Sequence, residues 1–152
     1  MLEPIKVFEN LNPNKDFVSE ILSFDVRRLE TLQSLEISKY AIALAQYLVY
    51  FQYQYNKVQS ELIKARQFIE ETVAQLLTPD IIKRYKTKKD ATHFIVNSTT
   101  TLYEKQQEHD NLKAEVMLLE NMAASLTELI AAFKRELTRR EKELWQARDE
   151  RR

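Results

Sequence analysis

The sequence predicts an all-α protein, and three observations support this prediction. Glycine is absent from all 152 residues, and only three prolines occur. Tight β-hairpin turns favour glycine, so its absence disfavours an antiparallel β fold. Apolar residues recur every three or four positions along two long segments, which is the period of an amphipathic helix. With 44% apolar and 30% charged residues, the composition suits a helical protein that has a core.

The region 1–37 is predicted to be an N-terminal arm followed by short helices. Pro4 and Pro13 frame an irregular arm, and a weak helical pattern follows from residue 15 to about residue 34. Asn14 or Ser23 is a candidate N-cap, because a short polar side chain can accept a hydrogen bond from the first free backbone N–H groups.

The first long helix is predicted over residues 38–77, with a length of about 60 Å. Its apolar positions keep a spacing of three or four residues until Thr78-Pro79. These positions are Tyr40, Leu44, Tyr47, Phe51, Tyr55, Val58, Leu62, Ala65, Ile69, Val73 and Leu76.

A basic connector is predicted over residues 78–101. Thr78-Pro79-Asp80 is typical of a helix start, and a short helix is expected over residues 81–86. Asp90 is expected to cap a further turn that runs to residue 96. The polar stretch 97–101 should interrupt the helical structure, and Thr101 and Glu104 fit a capping box for the next helix.

The last helix is predicted over residues 102–147, with a length of about 70 Å. Its apolar positions alternate in spacing between four and three residues, as in a coiled coil. We call these positions the seam: Leu112, Val116, Leu119, Ala123, Leu126, Ile130, Phe133 and Leu137. Leu118, Met122 and Leu129 widen this apolar stripe. We therefore expect residues 38–152 to form an antiparallel helical hairpin that associates into a homo-oligomer through coiled-coil-like seams.

The composition excludes several classes of functional site. Without glycine or cysteine, the chain lacks a phosphate-binding glycine-rich loop, a thiolate nucleophile and a cysteine metal site. His93 and His109 lack the Glu-x-x-His spacing of metal sites in helix bundles. We expect no enzyme activity, no catalytic residue, no metal and no cofactor. No apolar run approaches the roughly 20 residues that span a bilayer, so we expect a cytoplasmic protein without membrane contact.

Two groups of residues are candidates for nucleic-acid binding. Five basic residues, the connector cations, surround Tyr85 within seven positions and suit phosphates beside a stacked base. They are Lys83, Arg84, Lys86, Lys88 and Lys89. The second group is a lysine–tyrosine face on the first long helix, including Tyr50, Tyr53, Lys57 and Lys64. The alternatives are a connector that only faces water and tyrosines that pack against another protomer.

Over residues 38–147 the chain resembles the UvsY-type recombination mediators of tailed phages. The resemblance lies in the aromatic-rich segment 39–48, in Ile63-Lys-Ala-Arg66, in Lys88-Lys-Asp90 and in the closing segment 139–145. It implies a helical, ring-forming oligomer. The Lys-Ala-Arg segment is associated with DNA binding in that family, and the match here implicates Lys64 and Arg66.

The favoured hypothesis is thus a single-stranded DNA-binding accessory protein. The resemblance implies that it helps to load a RecA-like recombinase onto strands coated by single-strand-binding protein. If the chain is phage-encoded, its location is the host cell cytoplasm. The alternative is a helical oligomeric scaffold or protein-interaction module that does not bind nucleic acid.

Overall fold

The structure is a computed structural model that describes residues 13–150. Within these residues every regular element is helical, which confirms the all-α prediction. The elements are α1 (Lys15–Ser23), a 3-10 helix (Val26–Thr31), α2 (Ser34–Leu76), α3 (Pro79–Arg84), α4 (Lys88–Ser98) and α5 (Thr100–Asp149). Residues 1–12 of the predicted N-terminal arm lie outside the described residues.

Two helix starts follow the predicted capping chemistry. The side chain of Asn14 accepts a hydrogen bond of 3.1 Å from the Phe17 N–H and begins α1. The Thr78 hydroxyl accepts from the Ile81 N–H at 3.4 Å, and Pro79 occupies the first turn of α3. Proline fits there because its missing N–H would have no partner within the helix.

Two other predicted caps are wrong. The 3-10 helix is capped by Asp25 rather than Ser23, and the Asp25 carboxylate accepts from the Arg27 N–H at 3.0 Å. Helix α4 begins after Thr87 rather than at Asp90. The Thr87 hydroxyl accepts from the Asp90 N–H at 3.1 Å and donates to the Asp90 carboxylate at 2.8 Å. With this reciprocal pair the helix begins at Lys88, two residues before the predicted cap.

The predicted polar break at residues 97–101 is confined to Thr99. This residue is extended, with φ −112° and ψ 111°, and its carbonyl already accepts from the Tyr103 N–H at 2.9 Å. Thr101 therefore lies inside α5, and the prediction that it caps this helix with Glu104 is wrong.

The 3.6-residue periodicity of the first long helix is confirmed. Each apolar position named above is buried or half-buried except Leu76. Helix α2 begins at Ser34, earlier than predicted. Its start is stabilised by Glu36, whose carboxylate accepts from the Gln33 N–H at 2.9 Å.

The chain divides into two compact units, and both long helices contribute to each of them. The first unit contains the described residues of Met1–Gln54 and Asn121–Arg152. Tyr40 lies in its core, with ring centroids 5.6 Å from Phe17, 6.2 Å from Phe24 and 6.1 Å from Phe133. The buried aliphatic residues of this unit are Val18, Ile21, Ile37, Ala41, Leu44, Leu126 and Ile130.

The second unit is Tyr55–Glu120. Its hydrophobic cluster joins α2, α4 and α5 through Val73, Ile95, Val96 and Leu102. Ile69, Leu77 and Ile81 pack against this cluster. The cluster holds the predicted connector against the C-terminal end of α2.

The seam on α5 is buried by the chain itself. All eight seam positions are buried or half-buried, and Leu126 is only 5% exposed. Large apolar side chains that remain exposed include Leu118 at 61% and Met122 at 44%. The seam side chains therefore pack inside one chain, and association of chains through the seam stays a prediction.

Helix α5 is also long and apolar enough, by length and composition alone, to count as a candidate membrane span. It contains an 18-residue window of mean hydropathy 1.4, of which 22% is buried. No apolar run of this length was expected from the sequence. The expectation concerned uninterrupted apolar runs, whereas the mean hydropathy of a window can stay high when it contains isolated charges such as Glu120 and Glu128. Core helices of soluble proteins meet the same criterion.

Candidate nucleic-acid interface

The five connector cations lie at the junction of α3 and α4 in the second unit. Lys83 and Arg84 occupy the last turn of α3, and Lys88 and Lys89 begin α4. All five side chains are exposed. Within residues 13–150, none of them forms an ion pair. Their charges are therefore available to an anionic ligand.

The connector is held in place by its apolar side chains. Ala91, Ile95 and Val96 are buried on one face of α4. The ring of Tyr85 is half-buried, 5.2 Å from that of Phe94 with an interplanar angle of 31°. Tyr85 is thus already packed against one aromatic ring, and a base would stack on the remaining surface of the pair.

Two carboxylates accompany the connector cations. Asp80 lies in the first turn of α3 and Asp90 in the first turn of α4. The Asp90 carboxylate accepts a hydrogen bond from Thr87. Residues 78–92 carry five cations and two anions, so the connector keeps an excess of three positive charges in a chain of zero net charge.

The basic residues predicted on α2 are set apart from the connector cations. Lys57 and Lys64 are exposed, and Lys64 lies about 18 Å along the helix axis from its end at Leu76. Arg66 forms an i,i+4 ion pair of 2.7 Å with Glu70, and this bond holds the pKa of Arg66 above its ordinary value. Of these three cations, Arg66 is already engaged with an acid.

The two predicted tyrosines, Tyr50 and Tyr53, belong to the first unit. Tyr50 is half-buried, its ring centroid is 6.1 Å from that of Tyr47, and the Lys15 ammonium lies 5.7 Å from the same ring. Tyr53 is half-buried as well. The ring of Tyr50 therefore packs against side chains of its own chain, and both its stacking on a base and its packing against another protomer stay predictions.

A groove that was not predicted from the sequence lies beside the connector. Its volume is about 370 Å³. It is lined by Lys89, Asp90, Thr92, His93, Val96, Asn97 and Gln106. The signal was present in the spacing, because residues 89, 93 and 97 follow one another at intervals of four on a helix.

Histidine and carboxylate groups do not assemble into a metal site in the described part of the chain. There, no group of three or more His, Cys, Asp or Glu side chains is placed to hold an ion. His109 lies 3.0 Å from Asp110. Hydrogen bonding from His109 holds the pKa of the Asp110 carboxyl below its usual value.

Comparison with known proteins found no matching family model, no similar curated protein and no similar solved structure.

Proposed function

We propose that this chain is a non-enzymatic, single-stranded DNA-binding accessory protein of phage-type homologous recombination. In this role it helps to load a RecA-like recombinase onto strands coated by single-strand-binding protein, in the cytoplasm. The observation that carries the proposal is the cluster of five exposed connector cations, none of which forms an ion pair with another described residue. The resemblance of segments 39–48 and 63–66 to the recombination mediators supports the biological setting.

The charge pattern favours a phosphate backbone as the ligand. Each lysine or arginine that contacts a phosphate releases condensed counterions, and this release drives binding at low salt. An excess of three positive charges within residues 78–92 concentrates this effect at one place in a chain whose other residues sum to a charge of −3. Four of the five cations lie on α3 or α4, and Lys86 lies between these helices. The backbone that carries them therefore needs little ordering when a strand binds.

The rings beside these cations favour a single strand over a duplex. Tyr85 and His93 both border the connector cations in sequence. Aromatic side chains stack on base faces, which are accessible only when the bases are unpaired. A duplex would offer its phosphates but not its base faces.

Fluorescence anisotropy with labelled oligonucleotides tests the proposal. We expect tighter binding of a single strand than of the corresponding duplex. The double substitution Lys86→Ala/Lys88→Ala should weaken single-strand binding clearly. The matched control Arg27→Ala/Arg28→Ala removes the same charge from the first unit and should have little effect. Equal losses for both double variants would contradict a role for the connector.

We further propose that α2 and α5 run antiparallel within each unit. In the first unit the Arg140 guanidinium donates to the Ser34 hydroxyl at 3.2 Å, and Tyr40 contacts Phe133. The earlier residue of α2 thus meets the later residue of α5.

In the second unit the Lys105 ammonium lies 5.8 Å from the Phe68 ring, and Val73 shares a hydrophobic cluster with Leu102. The order is the same within this unit. This is the pattern expected for the two arms of a helical hairpin.

A homo-oligomer forms part of the proposal. Met122 is exposed on a face of α5 that belongs to the first unit, and it lines an apolar groove there. Association through this face would remove apolar surface from water, with a gain of about 25 cal/mol per Å². Glu120 and Glu128 on the same helix argue for a protein partner rather than lipid, because unpaired carboxylates are costly in a bilayer.

A second candidate function is an oligomeric structural module without nucleic-acid binding. It is favoured by an apolar groove of about 320 Å³ in the first unit, lined by Leu22, Tyr47, Asn121, Met122, Ser125, Leu126 and Leu129. If the protein assembles but binds no oligonucleotide, this function is the better explanation of the chain.

A further inference from the structure

The groove beside the connector shares Lys89 with the connector cations. It lies wholly within the second unit, and α4 supplies most of its lining. A strand whose phosphates follow the connector cations would pass the mouth of this groove. The groove is therefore a place beside these cations where a base of that strand could lodge.

The groove is a consequence of how α4 is anchored. Ala91, Ile95 and Val96 are buried and fix the rotation of the helix about its axis. Lys89, His93 and Asn97 then follow one another along the opposite side, at a rise of about 6 Å for each four residues. The order along this row is a cation, an aromatic ring and an amide.

The polar groups of the groove are available to a ligand. Among the described residues, neither His93 nor Asn97 has a side-chain hydrogen-bond partner in the protein. The amide nitrogen of Gln106 donates to Asp110 at 2.9 Å, which leaves the Gln106 carbonyl oxygen as an acceptor. Asn97 offers one N–H donor group and one carbonyl acceptor.

We infer that this groove is a nucleobase subsite, which takes one unpaired base of the strand held by the connector cations. The inference rests on the proposed single-stranded DNA binding and deepens it. The His93 ring stacks on the base, as histidine does in other single-strand sites. The Asn97 amide bonds the base edge, and an asparagine pairs best with adenine, whose N6 amino group donates while N7 accepts. Asp90 is the anionic group of the lining, and its carboxylate accepts from Thr87.

Anisotropy titrations with three oligonucleotides of equal length test this inference. The probes are a strand of thymidines, the same strand with adenines at regular intervals, and the same strand with abasic sugars at those intervals. For the wild type we expect the adenine strand to bind roughly 5- to 10-fold more tightly than the abasic strand, which is the lower part of the range for one stacked base. The thymidine strand should lie between them.

Two variants and a matched control assign the effect to the groove. His93→Ala should reduce the preference for base-bearing over abasic strands. Asn97→Ala should reduce the preference for adenine over thymidine. Both should keep the dependence of affinity on salt, because the connector cations are intact. Asn111→Ala makes the same chemical change at an exposed position of α5 and should behave as the wild type.

The outcomes separate the subsite from the proposed function. If the wild type binds abasic and base-bearing strands equally, or if His93→Ala and Asn97→Ala keep the preference, the subsite is refuted and the backbone binding stands. If the wild type binds none of the three strands at low salt, both proposals are refuted.

Discussion

Arg140 joins α5 to the 3-10 helix of the first unit through long-range polar contacts. Its guanidinium donates to the Leu32 carbonyl at 2.7 Å and to the Leu29 carbonyl at 3.3 Å. It also donates to the Glu136 carboxylate at 2.7 Å. Carbonyls at the end of a helix lack partners within it, so Arg140 satisfies the end of the 3-10 helix from a position more than one hundred residues away.

We expect Arg140→Ala to reduce the free energy of unfolding by about 2–3 kcal/mol. A hydrogen bond to a charged group contributes about 1.5–3 kcal/mol when it is well sheltered. The Arg140 side chain is 19% exposed, and of its bonds to carbonyls only the one to Leu32, at 2.7 Å, is short. We therefore count one strong bond to a carbonyl and a small further loss from the ion pair.

Arg139→Ala is the matched control. Arg139 pairs with the same Glu136 at 2.7 Å, but its side chain is 48% exposed. It makes no hydrogen bond to the 3-10 helix among the described residues. Exposed ion pairs contribute about 0–1 kcal/mol, so this variant should lose less than 1 kcal/mol.

Urea unfolding followed by far-ultraviolet circular dichroism measures both variants. With a slope of about 1–3 kcal/mol per molar urea, Arg140→Ala should lower the midpoint by roughly 1–2 M. Arg140→Lys should fall between the wild type and Arg140→Ala, because an ammonium can still reach a carbonyl. If Arg140→Ala is no less stable than Arg139→Ala, the contact with the 3-10 helix contributes nothing measurable.

Three further predictions follow from the burial and charges of single residues. The pKa of Glu136 is lowered to about 2 by hydrogen bonds from Arg139 and Arg140. The stabilising contribution of this carboxylate is therefore present above pH 4.5 and is lost as the pH falls towards 2. Between these pH values the wild type should lose more stability in thermal unfolding than Glu136→Gln. Ile95→Ala should cost about 2–5 kcal/mol in urea unfolding, because Ile95 is buried in the cluster that anchors α4. Met122→Lys should lower the mass found by sedimentation equilibrium and leave helicity unchanged, whereas a monomeric wild type would refute association through α5.

Local sequence patterns predict the two long helices well. The stripe from Tyr40 to Val73 has one period and no break, so the buried face of α2 follows from spacing alone. Thr78-Pro79 also predicts a helix start from the local sequence, because the cap and the first turn involve adjacent residues. The cap at Thr87 was missed because Asp90 is an equally good cap in isolation. Only the packing of α4 selects between these two positions.

Contacts between distant residues could not be predicted from these patterns. The seam on α5 has the spacing of an interface between chains, and nothing in that spacing shows that the same chain covers it. The contact of Arg140 with the Leu32 carbonyl joins residues 108 positions apart. By contrast, Arg66 and Glu70 form an i,i+4 pair that can be found in the sequence itself. This spacing would have identified Arg66 as a cation that already has an acidic partner.

In the candidate site, too, local patterns predict some features, whereas others depend on contacts between separate helices. That the connector cations would be exposed follows from their density, because seven residues cannot bury five charges. The neighbour of Tyr85 does not follow from density, since it is Phe94 on the next helix. The groove at His93 and Asn97 also needed the rotation of α4, which the buried Ile95 and Val96 determine.

The salt dependence of single-strand binding tests the proposed function most directly. If all five connector cations contact phosphates, the plot of log affinity against log salt should have a slope near −3.5, at about −0.7 for each phosphate. Replacement of all five by alanine should flatten the slope and leave the helix content unchanged. An unchanged slope in that variant, or a wild type that binds no long single strand at low salt, would contradict binding through the connector.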